Sequence, residues 1–250
     1  MSGHSKWASI KHKKKATDAK RGALFTKLIR AITVAARDGG GDPNGNPSLA
    51  LAIQKAKDAS MPKDNIERAI AKGTGADNDA AAFETVVYEG YGPAGVAMLV
   101  EALTDNRNRT SSEVRHAFTK SGGNLGEPGS VAWIFEKKGQ IVVDGSRYDE
   151  DDLMPAIEAG AEDIAVDGEV IEVVTGPTDL AAIRSALEQA GIEIESAELT
   201  QRPTTQIEVG FKEAGPLLKL IDTLEDNDDV QAVHANYDID ADVLEAVAAS

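Results

Sequence analysis

The residues best suited to chemistry lie near the start of the chain, where positive charge is concentrated. Lysine ammonium groups bind phosphates with little dependence on base sequence, and aromatic rings stack on exposed bases. Lysines and rings are interleaved here, a pattern that favours nucleic-acid binding over a merely solvated tail. The predicted contact residues of this segment, called the basic arm below (residues 6–15), are Lys6, Trp7, Lys11, His12, Lys13, Lys14 and Lys15.

A helix is predicted after the basic arm. Apolar residues recur at the three- and four-residue spacing of one helix face at Leu24, Leu28, Ile32 and Ala35. Basic residues of the same segment, most of them on a different face, continue the charge of the arm onto a folded surface. Those included in the predicted interface are Lys20, Arg21, Lys27 and Arg30.

Arg107 and Arg109 form a second candidate contact, between a predicted strand and a helix predicted to start near Thr110. Their planar guanidinium groups can donate two parallel hydrogen bonds to a phosphate. In the alternative, Asp105 and Asn106 cap the helix while the arginines pair with nearby acids. The residues alone leave both interpretations open.

Two glycine-rich segments resemble phosphate-binding loops without meeting their requirements. Residues 90–95 match the pattern GxGxxG, but a strand is predicted to follow where the nucleotide-binding motif needs a helix. Those residues are therefore predicted to form a turn. Residues 121–130 lack the lysine of a P-loop and are predicted to form a mobile loop.

Catalytic chemistry finds little support in the sequence. The four histidines form no HExxH pair, and no G-x-S-x-G nucleophile elbow occurs. The absence of cysteine excludes disulfides, thiolate zinc sites and cysteine nucleophiles. The acidic residues 225–229 are predicted to form a solvated turn. We expect no enzyme activity, no cofactor, no metal and no small-molecule substrate.

The net charge of −16 over 250 residues is distributed unevenly. Residues 1–72 carry 15 basic and 6 acidic side chains, whereas the remainder carries 11 basic and 36 acidic ones. A basic segment joined to an acidic body is typical of a protein whose arm meets a polyanion. No apolar stretch approaches the roughly 20 residues of a membrane helix, so a cytoplasmic protein without a membrane partner is expected.

The order of predicted elements indicates an α+β fold. Residues 1–79 are predicted to form a basic helical bundle. Residues 139–202 follow the order β-α-β-β-α-β of a ferredoxin-like domain. This domain is predicted to be inserted into a second ferredoxin-like α/β domain, which is discontinuous and made of residues 80–138 and 203–250.

Several separated motifs, in order along the chain, resemble the signatures of the YebC/PmpR family. They are Gly3–Trp7 with Ile10–Lys14, Glu89–Pro93 with Gly95-Val96, Thr104–Thr110, and Leu125-Gly126 with Gly129–Val131. The resemblance implies a helical bundle followed by two α/β domains, one inserted into the other. It also implies nucleic-acid binding, since family members are described as DNA-binding transcriptional regulators and others are tied to translation and the ribosome.

The working hypothesis is a non-enzymatic, DNA-binding regulator of transcription. A ribosome- or RNA-associated translation factor is the first alternative, because a lysine-rich arm suits ribosomal RNA as well as a DNA operator. An acidic scaffold for protein interactions, with the arm folded onto its own body, is the second.

Overall fold

The structure is a computed structural model that describes residues 18–75 and 83–249. Backbone contacts divide the described residues into two units. Unit one comprises residues 134–208 and 236–238, and unit two comprises the other described residues. In the described ranges, no helix has the length and apolar character needed to cross a membrane.

Unit two begins with three helices around a small apolar core: α1 (Asp18–Gly39), α2 (Pro47–Asp58) and α3 (Lys63–Gly73). Asn46 followed by Pro47 predicts a helix start in the sequence, and α2 begins there: Asn46 accepts a hydrogen bond from the Leu49 backbone N–H and Pro47 is the first helical residue. The buried residues of this core are Ile32, Ala36, Leu49, Ala56, Met61, Ile66 and Ala69.

The predicted core face of α1 is partly wrong, because Leu24 is 46% exposed. The side chains that do pack on the core from this end of the helix are Phe25, Leu28 and Ile29. These positions repeat every three or four residues with Ile32, and Leu24 lies at the border of that stripe.

An antiparallel sheet completes unit two. Its strands β1 (Glu84–Tyr91), β2 (Ala97–Thr104), β3 (Asn124–Leu125) and β9 (Val230–Ala235) lie in the order β3-β1-β2-β9. Helix α4 (Arg107–Lys120) follows β2, and α7 (Phe211–Glu225) precedes β9. The first sheet is thus completed by a strand more than a hundred residues further along the chain. Of residues 90–95, predicted as a turn, residues 90 and 91 still belong to β1, and residues 93–95 form the turn between β1 and β2.

Unit one contains the second antiparallel sheet: β4 (Phe135–Asp144), β5 (Asp163–Asp167), β6 (Val170–Thr175) and β7 (Ile194–Pro203). The strand order is β5-β6-β4-β7. Helices α5 (Met154–Glu158) and α6 (Leu180–Gln189) supply the two crossovers of a β-α-β-β-α-β unit. The ferredoxin-like order predicted from the sequence is therefore present.

Short elements account for the rest of the chain. Strands β8 (Ile207–Glu208) and β10 (Tyr237–Asp238) form a parallel pair in unit one, and α8 (Ala241–Ala249) ends the described chain in unit two. The sequence predicts one strand over residues 131–135, but residues 132–134 form a 3-10 turn and β4 starts only at Phe135. Helices followed by antiparallel sheets make this an α+β fold, and the domain boundaries given above stay a prediction.

Candidate nucleic-acid interface

Only part of the predicted interface lies within the described residues. Its arm residues Lys6, Trp7, Lys11, His12, Lys13, Lys14 and Lys15 lie outside the described residues. Lys20 lies in the first turn of α1. The remaining five predicted residues, Arg21, Lys27, Arg30, Arg107 and Arg109, have described side chains in unit two.

The basic side chains of α1 differ in how firmly they are held. Arg21 is exposed, and its guanidinium carbon lies 5.4 Å from the centre of the Phe25 ring, a cation–π contact. Lys27 donates from Nζ to the backbone carbonyl of Glu225 at the carboxyl end of α7. This end of a helix carries partial negative charge, so the ammonium group of Lys27 stabilises it.

Arg30 reaches the loop that precedes β9. Its Nη1 donates to Asp229 Oδ1 at 2.7 Å and to the backbone carbonyl of Asp228 at 2.8 Å. Its guanidinium carbon also lies 5.4 Å from the centre of the Phe83 ring. Arg30 therefore fixes α1 against the first sheet.

Asp229 is the centre of this cluster. Its side chain is 4% exposed, and besides Arg30 it accepts hydrogen bonds from Arg109 Nη2 at 2.6 Å and from the Thr110 hydroxyl at 2.7 Å. Thr104 Oγ1 lies 3.2 Å from the same carboxylate. The prediction of a solvated acidic turn over residues 225–229 is therefore wrong for Asp229, which is buried by its cationic and hydroxyl partners.

The pKa of Asp229 reflects two opposed effects. Burial raises the pKa of a carboxyl group, but the hydrogen bonds from Arg109, Thr110 and Arg30 stabilise the charged form and lower the pKa below its ordinary value. The pKa of Arg109 is raised, chiefly by its hydrogen bond to Asp229 and next by that to Asp105. Both groups are therefore charged at neutral pH and hold each other in place.

Arg107 and Arg109 lie in the first turn of α4 rather than in a loop before it. The helix starts three residues earlier than predicted because Asn106 accepts a hydrogen bond from the Arg109 backbone N–H, as an N-cap residue does. Arg109 pairs with Asp105 and Asp229. The exposed side chain of Arg107 has no hydrogen bond or ion pair with any described residue. The structure thus separates two arginines that look equivalent in the sequence.

The loop after α4 is held by a buried carboxylate that sequence analysis did not single out. Glu89 on β1 is 8% exposed and accepts three backbone N–H bonds, from Gly129 at 2.6 Å and from Val131 and Ala132 at 2.8 Å each. Residues 121–130 were predicted to be mobile, whereas their last residues are tied to β1. The sequence signal that could have identified Glu89 is an acidic residue within a strand, next to residues that are buried.

The negative charge of Glu89 is stabilised by its hydrogen-bond donors. Burial raises the pKa of this carboxyl, yet the three backbone donors outweigh burial and lower the pKa below its ordinary value. Glu89 is therefore ionised at neutral pH, and each donated hydrogen bond is charge-assisted. Metal binding is not the role of this carboxylate, because backbone N–H groups surround it. Among the described residues, no group of three or more histidine, aspartate and glutamate side chains is placed to hold a metal ion.

Comparison with known proteins decides the family. The family model for the TACO1/YebC protein N-terminal domain matches residues 5–76, and the model for the TACO1/YebC second and third domain matches residues 83–237. The chain belongs to the TACO1/YebC family. The resemblance inferred from the separated motifs is confirmed, and the TACO1/YebC N-terminal match includes the basic arm.

Two relatives match this chain over nearly the whole length of both proteins. A relative from Rubrobacter xylanophilus is 57% identical over 99% of this chain and 100% of its own length. A second, from Geobacter sulfurreducens, is 57% identical over 98% of this chain and 99% of its own. Both are named probable transcriptional regulatory proteins.

A solved structure confirms the fold. The crystal structure of a conserved hypothetical protein from Aquifex aeolicus superimposes with a TM-score of 0.83 at 50% sequence identity. The match covers 90% of this chain and 94% of that one. The α+β arrangement of helices and antiparallel sheets is therefore shared with that protein.

Proposed function

We propose that this protein is a cytoplasmic regulator of gene expression that binds nucleic acid through its basic arm. The names of its full-length relatives support a regulatory role. The observation that carries the nucleic-acid part is the charge distribution, with nine basic residues and one acidic residue among the first 30. In the working form of the proposal, the protein binds DNA and regulates transcription without catalysis.

The contacts of the described residues refine which side chains take part. Lys27, Arg30 and Arg109 are engaged with Glu225, Asp229 and Asp105 in unit two. A phosphate would have to displace those partners, which disfavours these three as primary contacts. Arg21 and Arg107 are exposed and lack acidic partners among the described residues. We assign them to the interface together with the arm and Lys20.

The salt dependence of binding tests the proposal. On duplex DNA, log K falls with log salt by about 0.9 for each phosphate neutralised, so replacing Lys13, Lys14 and Lys15 with alanine should reduce the slope by up to about 2.7. Thermal stability should hardly change. Fluorescence anisotropy of a labelled duplex at several salt concentrations measures the slope.

The matched control for the arm removes the same charge elsewhere. Lys57, Lys63 and Lys72 are exposed lysines of α2 and α3, and their triple alanine variant should keep the parental slope. If the arm variant also keeps it, nucleic-acid binding by the arm is wrong. The scaffold alternative would then be favoured.

The choice between DNA and ribosomal RNA needs a separate measurement. A transcriptional regulator binds its own promoter about a thousandfold or more tighter than unrelated DNA. We expect such a ratio between a candidate promoter and a scrambled duplex at physiological salt, with ribosomes measured under the same conditions. Equal and weak binding to both duplexes alongside tight ribosome binding would replace the working form with the translation factor, for which the lysine-rich arm is equally suited.

A further inference from the structure

An exposed indole lies just before the chain enters β4. Trp133 is 73% exposed, the largest exposed fraction of any bulky apolar side chain among the described residues. It is one of two tryptophans in the protein, and the other is Trp7 of the basic arm. Tryptophan is enriched at binding interfaces, so an exposed indole held in a fixed orientation is a candidate contact.

The ring of Trp133 is held in position. Its Nε1–H donates to the backbone carbonyl of Ser130 at 3.2 Å, and the Tyr91 hydroxyl donates to the same carbonyl at 3.2 Å. Beneath it, Glu89 binds the backbone N–H groups on both sides of Ser130, as described above. The indole is therefore oriented before any ligand arrives, which lowers the entropy cost of binding.

The surroundings of Trp133 indicate what kind of ligand it fits. Its neighbours Val131 and Ile134 are buried, and the exposed residues of the same loop are Glu127, Pro128, Gly129 and Ala132. A protein partner would require a broad, well-packed patch around the aromatic anchor, and this loop offers one ring among small and polar residues. A single flat surface is enough for a nucleobase.

The hydrogen bond of the indole N–H also indicates what kind of ligand fits Trp133. Because Nε1–H is already used by Ser130, the ring offers its faces but no hydrogen-bond donor. Stacking uses the face alone and accepts any base, in keeping with an arm that binds phosphates without reading sequence. The nearby Glu89 carboxylate is buried and its negative charge is stabilised by three backbone donors, so it is not presented to a ligand at the surface.

We propose that Trp133 stacks on an unpaired nucleobase of the nucleic acid that the basic arm holds. This inference rests on the proposed function and adds a second contact, specific for single-stranded segments, in a part of the chain remote in sequence from the arm. Duplex DNA keeps its bases stacked inside the helix, so the contact requires a single strand, a loop or an unpaired end.

Tryptophan fluorescence tests the stacking directly. In a Trp7→Phe background, Trp133 is the sole tryptophan, and a stacked base should quench its emission. Twelve-residue oligo(U) and oligo(dT), each carrying a distant label, are titrated while anisotropy of the label and indole emission are recorded together. We expect quenching to saturate together with binding, and a duplex of equal length to bind without quenching.

Affinity provides the second readout. In the same background, Trp133→Ala should weaken oligonucleotide binding by about tenfold, within the range for loss of one stacked base, and leave duplex affinity unchanged. Phe211→Ala is the matched control, because Phe211 is an aromatic residue of unit two that is 59% exposed, and its loss should not alter the affinity. Circular dichroism verifies that both variants fold.

The outcomes separate the two proposals. Oligonucleotide binding without quenching, or with unchanged affinity after Trp133→Ala, would overturn the stacking inference and leave nucleic-acid binding by the arm intact. Absence of binding to the oligonucleotides and to the duplex would overturn both. Quenching by oligo(U) alone would support the inference and identify RNA as the source of the base.

Discussion

Replacing Asp229 with alanine should lower the free energy of unfolding by about 3 kcal/mol, the largest effect expected from a single charged residue of the described structure. The substitution leaves Arg30 and Arg109 without the carboxylate that joins them and removes a charged acceptor of the fully buried Thr110 hydroxyl. Urea denaturation monitored by circular dichroism measures the loss.

Asp228→Ala is the control for this prediction. Asp228 is exposed, and it contacts Arg30 only through its backbone carbonyl, which the substitution keeps. Its free energy of unfolding should change by less than about 0.5 kcal/mol. Similar losses in the two variants would mean that the carboxylate of Asp229 does not hold α1 and α4 together.

Acid should reduce the difference between Asp229→Ala and the parent. The pKa of Asp229 is lowered in the folded protein, so its contribution is fully present above the ordinary aspartate pKa near 3.8 and is lost as the pH falls from there through the lower, folded-state pKa. The same denaturation experiment repeated at decreasing pH follows this convergence.

Replacing Glu89 with glutamine should destabilise unit two by about 2 kcal/mol and release the loop of residues 126–132. The two carboxylate oxygens accept three N–H bonds, and an amide has a single acceptor oxygen and places its own N–H₂ against the remaining donors. Hydrogen exchange at the amides of Gly129, Val131 and Ala132 should accelerate, which mass spectrometry or NMR would detect.

Glu127→Gln is the matched control, because it makes the same chemical change at an exposed position of the same loop. Its stability and its exchange rates should remain those of the parent. Unchanged exchange in Glu89→Gln would show that the short strand β3 and the 3-10 turn suffice to hold the loop.

Local signals predicted most of the elements. Asn46 followed by Pro47 marks a helix start whatever surrounds it, because the cap satisfies backbone groups within four residues. The alternation of short strands and helices after residue 139 likewise indicates the ferredoxin-like order. These features depend only on residues that are close together in the sequence, so they can be recognised from a single sequence.

The candidate site could be predicted only in part, because its contacts are non-local. Asp229 lies among four other polar or acidic residues and reads as solvent-exposed; the partners that bury it, Arg30 and Arg109, are 199 and 120 residues away. Glu89 and the backbone groups it binds are 40 or more residues apart. Nothing in local composition distinguishes Arg107, which is free of described ion pairs, from Arg109, which is not.

The late return of the chain to the first sheet has a consequence for synthesis on the ribosome. Strands β1 and β2 leave the exit tunnel long before β9, and until β9 emerges, β2 has an unpaired edge. All four strands of the second sheet, residues 135–203, are contiguous and emerge before β9. Translation from the amino terminus therefore allows the second sheet to form first, while the first sheet still lacks its last strand. A nascent chain truncated before residue 229 lacks the carboxylate that joins α1 to α4, so the amino-terminal helices acquire their final anchor only near the end of translation.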